Sequence, residues 1–317
     1  MRYLAPILEK QSYSKTIEKK VLACLNEILF QEIKEILNDF DNEIENSIEE
    51  DLTKAIKKGK VQFIEGKFEG SFNSKISRLL REFGAKFSRR TKSWNINLIE
   101  LPLNIQHAIV STNIRFKRLY DSILDRISKI NPGRVIKTFS FNSEYETVLT
   151  SLDKQVHATL KRDIKIIPEF MPEVKSKLAE EYSNNLKLYI KNFTDEQVIK
   201  LREEVLSNYE QGYRASALED VIQHRFNVSK SKARFLAQQE TSILTSKVRE
   251  LRYKDCGITE YIWKTSSDSR VREDHKLLDG TLQEWDNPPI TNRKTGVRNH
   301  PGEDFGPCRC LAKPVIR

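Results

Sequence analysis

No segment of the 317 residues carries the apolar run of about 20 residues that a bilayer-spanning helix requires. Residues Met1 to Lys20 lack the apolar centre of a signal peptide, so neither secretion by such a peptide nor a membrane partner is expected. Cysteine is scarce: Cys24 and Cys256 stand alone, and Cys308 and Cys310 form one C-x-C. Thiols so spaced are no disulfide framework, and assembly in a reducing compartment is the natural expectation. There is no P-loop, G-x-S-x-G, H-E-x-x-H or G-x-G-x-x-G, so the commonest sequence signs of nucleotide binding, serine hydrolysis and zinc proteolysis are missing. Internal repeats and low-complexity tracts are missing as well.

Charge is what the chain has in quantity. Charged residues make up 31%, and 54 Lys and Arg against 45 Asp and Glu leave a formal net charge of +9. Such a balance suits a polyanionic neighbour, DNA or an acidic protein surface, or serves solubility alone. It falls short of a dedicated nucleic-acid arm. The length is enough to bury a core and suggests roughly two domains of ~150 residues.

Ile17, Val21, Leu25, Ile28, Leu29, Ile33, Ile36 and Leu37 recur at helical spacing among Glu and Lys, which predicts a long amphipathic helix. An interruption is expected near Asn38 to Asn42, with the helix resuming through Ile44, Ile48, Leu52 and Ile56 and ending at Gly59. Val61 to Gly70 reads as a strand or hairpin. Asn73 or Ser74 is placed to cap a helix carrying Ile76, Leu79, Leu80 and Phe83, stopped by Gly84. Ser93 to Leu101 alternates as a strand, and Pro102 opens a helix to Ile130 that Asn131-Pro132-Gly133 should break.

Ser143-x-x-Glu146 has the form of a capping box before the stripe Val148, Leu149, Leu152, Val156, Leu160, Ile164. Pro168 and Pro172 mark a boundary. Helices follow at Val174 to Asn192, Thr194 to Gln211, Arg214 to Phe226 and Ser229 to Tyr253, with Thr194 and Ser229 as caps and Gly257 as the close. His107, His157 and His224 fall within helices and are expected to face solvent or helix neighbours. Glu260 to Thr265 is β-prone, Ser266 to Pro307 is loop-rich, and Leu311 to Ile316 suits a closing strand. The expected class is α+β and mostly helical: long N-terminal helices with a small β element, a helical middle and a small loop-rich C-terminal α+β module. The expected division is 1–168 and 169–317, the latter with helices over 174–253 and the module over 258–317.

That module holds the informative residues: Tyr261-x-Trp263, Asp268-x-Arg270-Val271-Arg272-x-x-His275, Leu278-Asp279-Gly280, Trp285-x-x-Pro288-Pro289, His300-Pro301-Gly302-Glu303-Asp304-Phe305 and Cys308-Arg309-Cys310. About 50 loop-rich residues bury little apolar surface and need a staple, such as a metal, a buried ionic network or a larger body to pack on. The run resembles the C-terminal signature of phage Mu F-like minor head proteins: W-x-T-x-x-D-x-R-V-R-x-x-H-x-x-L-x-G, then W-D-x-P-P, then P-G-x-D-x-x-C-R-C. One extra residue separates Asp304 from the C-R-C here. Upstream, Ser231 to Thr241, with Glu240 and Thr241, is similar to the family's R-A-x-x-I-A-R-T-E-T helix. Ala55-x-x-x-Gly59, Phe68-x-Gly70 and Leu101-Pro102 also look like this group.

The resemblance implies a minor structural protein inside the head of a tailed bacteriophage, assembled in the bacterial host cytoplasm. It would bind the portal protein and touch major capsid or scaffolding protein. It would act in head morphogenesis and in packaging or ejection of the genome, with non-specific phosphate contact to double-stranded genomic DNA. No enzymatic activity and no cofactor are expected. Arg317 follows soon after the signature, so no fused toxin domain is expected either. The signature residues are Glu240, Thr241, Trp263, Asp268, Arg270, Arg272, His275, Gly280, Trp285, Pro301, Gly302, Cys308, Arg309 and Cys310.

Two readings of the thiols stay open. Some relatives carry C-x-x-C where this chain has Arg272-x-x-His275, and with the C-x-C that makes a four-thiolate zinc set. Here His275, Cys308 and Cys310 would be ligands, with Asp268, Asp274 or His300 as a fourth. Alternatively, Arg272 and His275 form an ionic network with Asp268, Asp279 or Asp304, and the thiols only pack. Tyr261, Trp263 and Trp285 read as module core rather than a base-stacking platform, and Arg270, Arg272, Arg293, Lys294 and Arg298 as a basic loop region. An acid–base set of Asp268, His275 and Glu240, or a Cys308–His275 nucleophile pair, would need a proximity that sequence does not supply. The rival functions are a metal-dependent DNA-processing enzyme (a nuclease) using the C-terminal module, and a stand-alone host DNA-binding protein. The latter lacks a helix-turn-helix or zinc-finger spacing.

Overall fold

The structure is a computed structural model that describes residues 2–4, 11–45, 51–210, 215–306 and 308–316. In chain order its elements are β1 (Arg2–Tyr3), α1 (Gln11–Leu29), α2 (Gln31–Glu45), α3 (Asp51–Lys57), β2 (Val61–Ile64), β3 (Lys67–Gly70), α4 (Ser74–Glu82), β4 (Lys86–Ser88), β5 (Ser93–Asn95), α5 (Leu103–Lys129), α6 (Pro132–Thr138), α7 (Asn142–Leu160), α8 (Pro172–Glu210), α9 (Ala215–Asp255), β6 (Glu260–Lys264), α10 (Glu273–Leu278), β7 (Leu282–Glu284), β8 (Ile290–Asn292), β9 (Val297–Arg298) and β10 (Leu311–Ile316). A 3-10 turn covers Leu98–Glu100. This is the mostly helical α+β class that was expected.

Two compact units form. One draws on residues 1–25, 133–192 and 229–317, the other on 26–132 and 193–228. Each unit uses residues from both sides of position 168.

In the second unit β2, β3, β5 and β4 make an antiparallel sheet in that order. The hairpin expected over Val61 to Gly70 is present, turning at Glu65 and Gly66. Asn73 caps α4, its side chain accepting the Ile76 N–H at 2.8 Å, and Gly84 follows the helix end. Leu52, Ile56, Val61, Phe68, Ile76, Leu80, Trp94, Ile105 and Ile109 close a common core. Gly70 has φ +126, and a Cβ there would lie 2.1 Å from the Lys60 carbonyl oxygen, so this strand end admits no side chain.

Several sequence expectations are corrected. The break in the N-terminal helix lies at Phe30 rather than at Asn38 to Asn42. Phe30 is buried, and its N–H still bonds Asn26 O at 3.0 Å, so the ladder bends without opening. Ile48, Gln211 and Arg214 lie outside the described residues, and of Ile44 only the backbone is described. The strand at Ser93 stops at Asn95, because Asn97 caps the 3-10 turn. The break expected at Asn131-Pro132-Gly133 is present, since α5 ends at Lys129 with Ile130 as its C-cap; Pro132 then opens α6, as fits a ring already set for the first helical position. Ser143 does not cap α7, whose N-cap is Phe141; its hydroxyl turns to Glu144. Thr194 and Ser229 are not caps. Both are buried inside the continuous helices α8 and α9. His107, His157 and His224 are exposed, as expected.

In the first unit β1, β10, β6 and β7 form an antiparallel sheet in that order. Tyr3 pairs with Val315, and Trp263 with Ala312. No strand was expected at Arg2 and Tyr3, two residues being too few to show alternation. The stripe Val148, Leu149, Leu152, Val156 and Leu160 of α7 is buried, and buried Arg252 donates to Pro168 O at 2.8 Å.

Candidate functional site

From Ala233 to Arg249, α9 is buried almost all round. Ala233, Ala237, Thr241, Ser242, Thr245 and Ser246 keep it narrow, and Thr241 and Thr245 return their hydroxyls to Ala237 O and Thr241 O, each at 2.7 Å. A narrow helix lets the 301–310 loop lie close against it. Gln239 donates to Asp304 O at 3.1 Å and Ser242 to Cys308 O at 3.3 Å. Gly302 sits at φ +103, and a Cβ there would meet Ser242 Oγ at 3.3 Å. Glycine in the P-G pair is therefore fixed twice, by backbone conformation and by the approach of the helix.

His275 is buried in the short helix α10, with its ring between two kinds of partner. Nε2 lies 2.6 Å from Asp304 Oδ2, an ionic contact out of line for a good N–H hydrogen bond. Nδ1 faces the thiols, 3.4 Å from Cys310 Sγ and 3.7 Å from Cys308 Sγ. Asp304 Oδ1 is held by Thr291 at 2.8 Å and Asn299 at 2.6 Å. Burial opposes a charged ring, but the Asp304 carboxylate and Cys308 outweigh it, and the His275 pKa is pushed up to about 9. Burial alone would raise Asp304; His275 and its hydrogen bonds hold it below the usual carboxylate value. The two thiols are shifted in opposite directions. Hydrogen bonding to Cys310 drops Cys308 to about 4, and the same contact with burial pushes Cys310 up.

Among the expected carboxylate partners it is Asp304 that meets His275. Asp279 instead holds the turn out of β6, accepting the Thr265 N–H at 2.8 Å. Gly280 N–H bonds Trp263 O at 2.8 Å beside it. Asp268 binds Arg309 at 2.7 Å, and Arg272 donates to Gly306 O at 2.9 Å. The suggested fourth ligands are each engaged elsewhere: Asp268 with Arg309, Asp274 with the Arg293 N–H at 3.0 Å, and His300 with Tyr261 Oη at 3.0 Å.

Tyr261, Trp263 and Trp285 are buried. Trp285 lies 4.4 Å from Tyr261 and 5.0 Å from His300 by ring centroid, and Trp263 lies 5.4 Å from His275. They are core, with no face open for stacking. Asp268 and Arg270 are near the surface, and Pro301 is buried under the loop.

Chemically, the His275 Nδ1 and the two sulfurs form a donor set whose atoms lie within 4.8 Å of one another. Zinc–sulfur and zinc–nitrogen bonds of about 2.3 and 2.05 Å imply tetrahedral edges of roughly 3.6 Å. The observed 3.4 and 3.7 Å bracket that value. A carboxylate on the far ring nitrogen is also the usual second support of a metal-bound histidine. A cavity of about 530 Å³, lined by Arg270, Arg272 and Arg309 among others, adjoins the three donors.

Glu240, on the same helix, is 3% exposed and lines a separate cavity of about 500 Å³. Burial pushes its pKa up to about 7. Arg272 and Asp304 line that cavity too, while among the described residues no hydrogen bond or ion pair joins Glu240 to His275 or Asp268.

Residues 199–313, which hold α9 and the whole His275 centre, match the family model described as Phage Mu protein F like protein. A protein of Haemophilus influenzae, named only as uncharacterized, is 30% identical over 169 residues, which cover 53% of this chain. The chain spans 35% of that relative's length. No solved structure matches. The resemblance read from the signature is borne out over residues 199–313, which match the Mu F-like model.

Proposed function

We propose that this chain is a minor head protein of a tailed bacteriophage. It would bind the portal protein inside the head, touch major capsid or scaffolding protein, and assist genome packaging or ejection. The observation that carries the reading is the stapling of the signature residues into one unit seated on α9, within the matched stretch. Close contacts such as Gly302 on Ser242 describe a module built to hold shape. Its residence would be the virion, after assembly in the host cytoplasm. Among the described residues no helix is long and apolar enough to cross a membrane. In this reading the role is assembly, and the contacts of Asp304 with Thr291, Asn299 and His275 serve to hold the loop in place. Co-expression with a portal ring tests the reading: the chain should purify with portal or procapsids. A folded chain that stays free of both would overturn it. Plasmid cleavage with divalent ions, lost in His275→Ala, would favour the nuclease instead.

A metal is the second reading, and the donor spacing favours it. His275, Cys308 and Cys310 would hold zinc, which would act there as a structural staple. Elemental analysis should find about one zinc per chain, lost in Cys308→Ser. A folded protein with none would leave the imidazole–thiolate–carboxylate network as the whole staple.

A further inference from the structure

Between Ser71 and Trp94 the sequence holds seven Lys and Arg against one acid, Glu82. Glu82 is already taken by Arg78 at 3.6 Å. The fold gathers this segment around a groove of about 800 Å³, outside the Mu F-like stretch. Its cationic lining is Arg81, Arg89 and Lys92, its aromatic lining Phe72, Phe87 and Trp94, and no carboxylate lines it. Arg81 stacks over Trp94 at 5.6 Å, while Arg89 and Lys92 have no ion-pair partner among the described residues. Phe87 leans on Trp94 at 5.0 Å and keeps 48% of its surface exposed. The loop carrying Arg89 and Lys92 is tied down: Thr91 N–H bonds Ser88 Oγ at 3.3 Å, and the Thr91 and Ser93 hydroxyls meet at 2.7 Å.

Like charges held together without counter-charges repel, and the arrangement is relieved by an anion. A small anion would leave the exposed aromatic face unused. A polynucleotide uses both: phosphates meet the cations, and an unpaired base covers the ring. A duplex keeps its base faces stacked on one another, so Phe87 favours a single strand. We propose that this groove binds single-stranded nucleic acid without sequence preference, with Arg81, Arg89 and Lys92 on the phosphates and Phe87 stacked on a base. The proposal deepens the nucleic-acid part of the reading above and does not depend on portal binding.

The test is fluorescence anisotropy of the full chain with labelled dT20 and with a blunt 20-base-pair duplex. Three phosphate contacts on a single strand predict a salt slope near −2, so affinity should fall roughly 20-fold from 50 to 200 mM salt. Arg89→Ala with Lys92→Ala should flatten the slope to about −0.7. Phe87→Leu should weaken dT20 roughly fivefold or more and leave duplex binding unchanged. All three side chains are exposed, so circular dichroism should match the parent. Duplex bound as tightly as dT20, or dT20 affinity indifferent to all these changes, would overturn the proposal. Portal co-purification of the same variants separates the two claims: groove variants that still bind portal leave the assembly role standing.

Discussion

Glu240 costs the protein stability near neutral pH, and Glu240→Gln should restore it. The carboxyl is buried on α9 and has no hydrogen-bond or ion-pair partner among the described residues. Its pKa is raised from 4.5 to about 7 by burial, so the folded state holds a proton the unfolded chain has released. The sign follows: stability from this group is complete below pH about 4.5 and declines as pH rises to 7. Two and a half decades of proton affinity at about 1.4 kcal/mol each give about 3 kcal/mol lost at pH 8, and under about 1 kcal/mol at pH 5. Glutamine has the same shape and no proton to lose. In calorimetry it should raise the melting temperature at pH 8 by roughly 6–12 °C for a unit of this size, and by at most about 3 °C at pH 5. An equal shift at both pH values, or a lower melting temperature at pH 8, would show that the carboxylate is compensated and that burial does not control it.

Other outcomes follow from single contacts. Gly302→Ala must place a methyl against Ser242 in a backbone region that disfavours side chains; chemical denaturation should show a loss of about 1–3 kcal/mol. Gly70→Ala drives a Cβ into the Lys60 carbonyl, and the same assay should show a loss above about 2 kcal/mol. Asp304→Asn removes one of the two negative groups that face His275, and the same assay should show a loss of up to about 3 kcal/mol. Ser229→Ala distinguishes a cap from a buried hydroxyl by sign. A cap would lose about 1 kcal/mol, whereas the unpartnered Ser229 Oγ inside α9 predicts no loss or a gain.

What could be read from sequence was local. The apolar stretch from Val61 to Gly70, the cap at Asn73 or Ser74, the β-prone residues Glu260 to Thr265 and the closing strand Leu311 to Ile316 each rest on signals a few residues long, and each element is present. The errors arose where tertiary burial overrides local signals. Thr194 and Ser229 look like caps because such hydroxyls bond well to a helix start, yet both are buried within helices of 39 and 41 residues. At the His275 centre the chain offered three carboxylates, and only the path of the 301–310 loop over α9 brings Asp304 to the ring. The basic groove had a visible trace, seven cations around Phe87 and Trp94. That trace carries no motif of its own, and only the folded sheet turns it into a lined groove.

The edge strand of the C-terminal sheet comes from Arg2 and Tyr3, paired to Ile316 and Val315. During synthesis Arg2 and Tyr3 leave the ribosome long before their partners exist. That edge therefore stays open until Leu311–Ile316 has been made, and shorter nascent chains cannot present the completed sheet. A fragment trimmed to residues 199–313 would lose Val315 and Ile316 together with Arg2 and Tyr3, and with them the whole of that pairing.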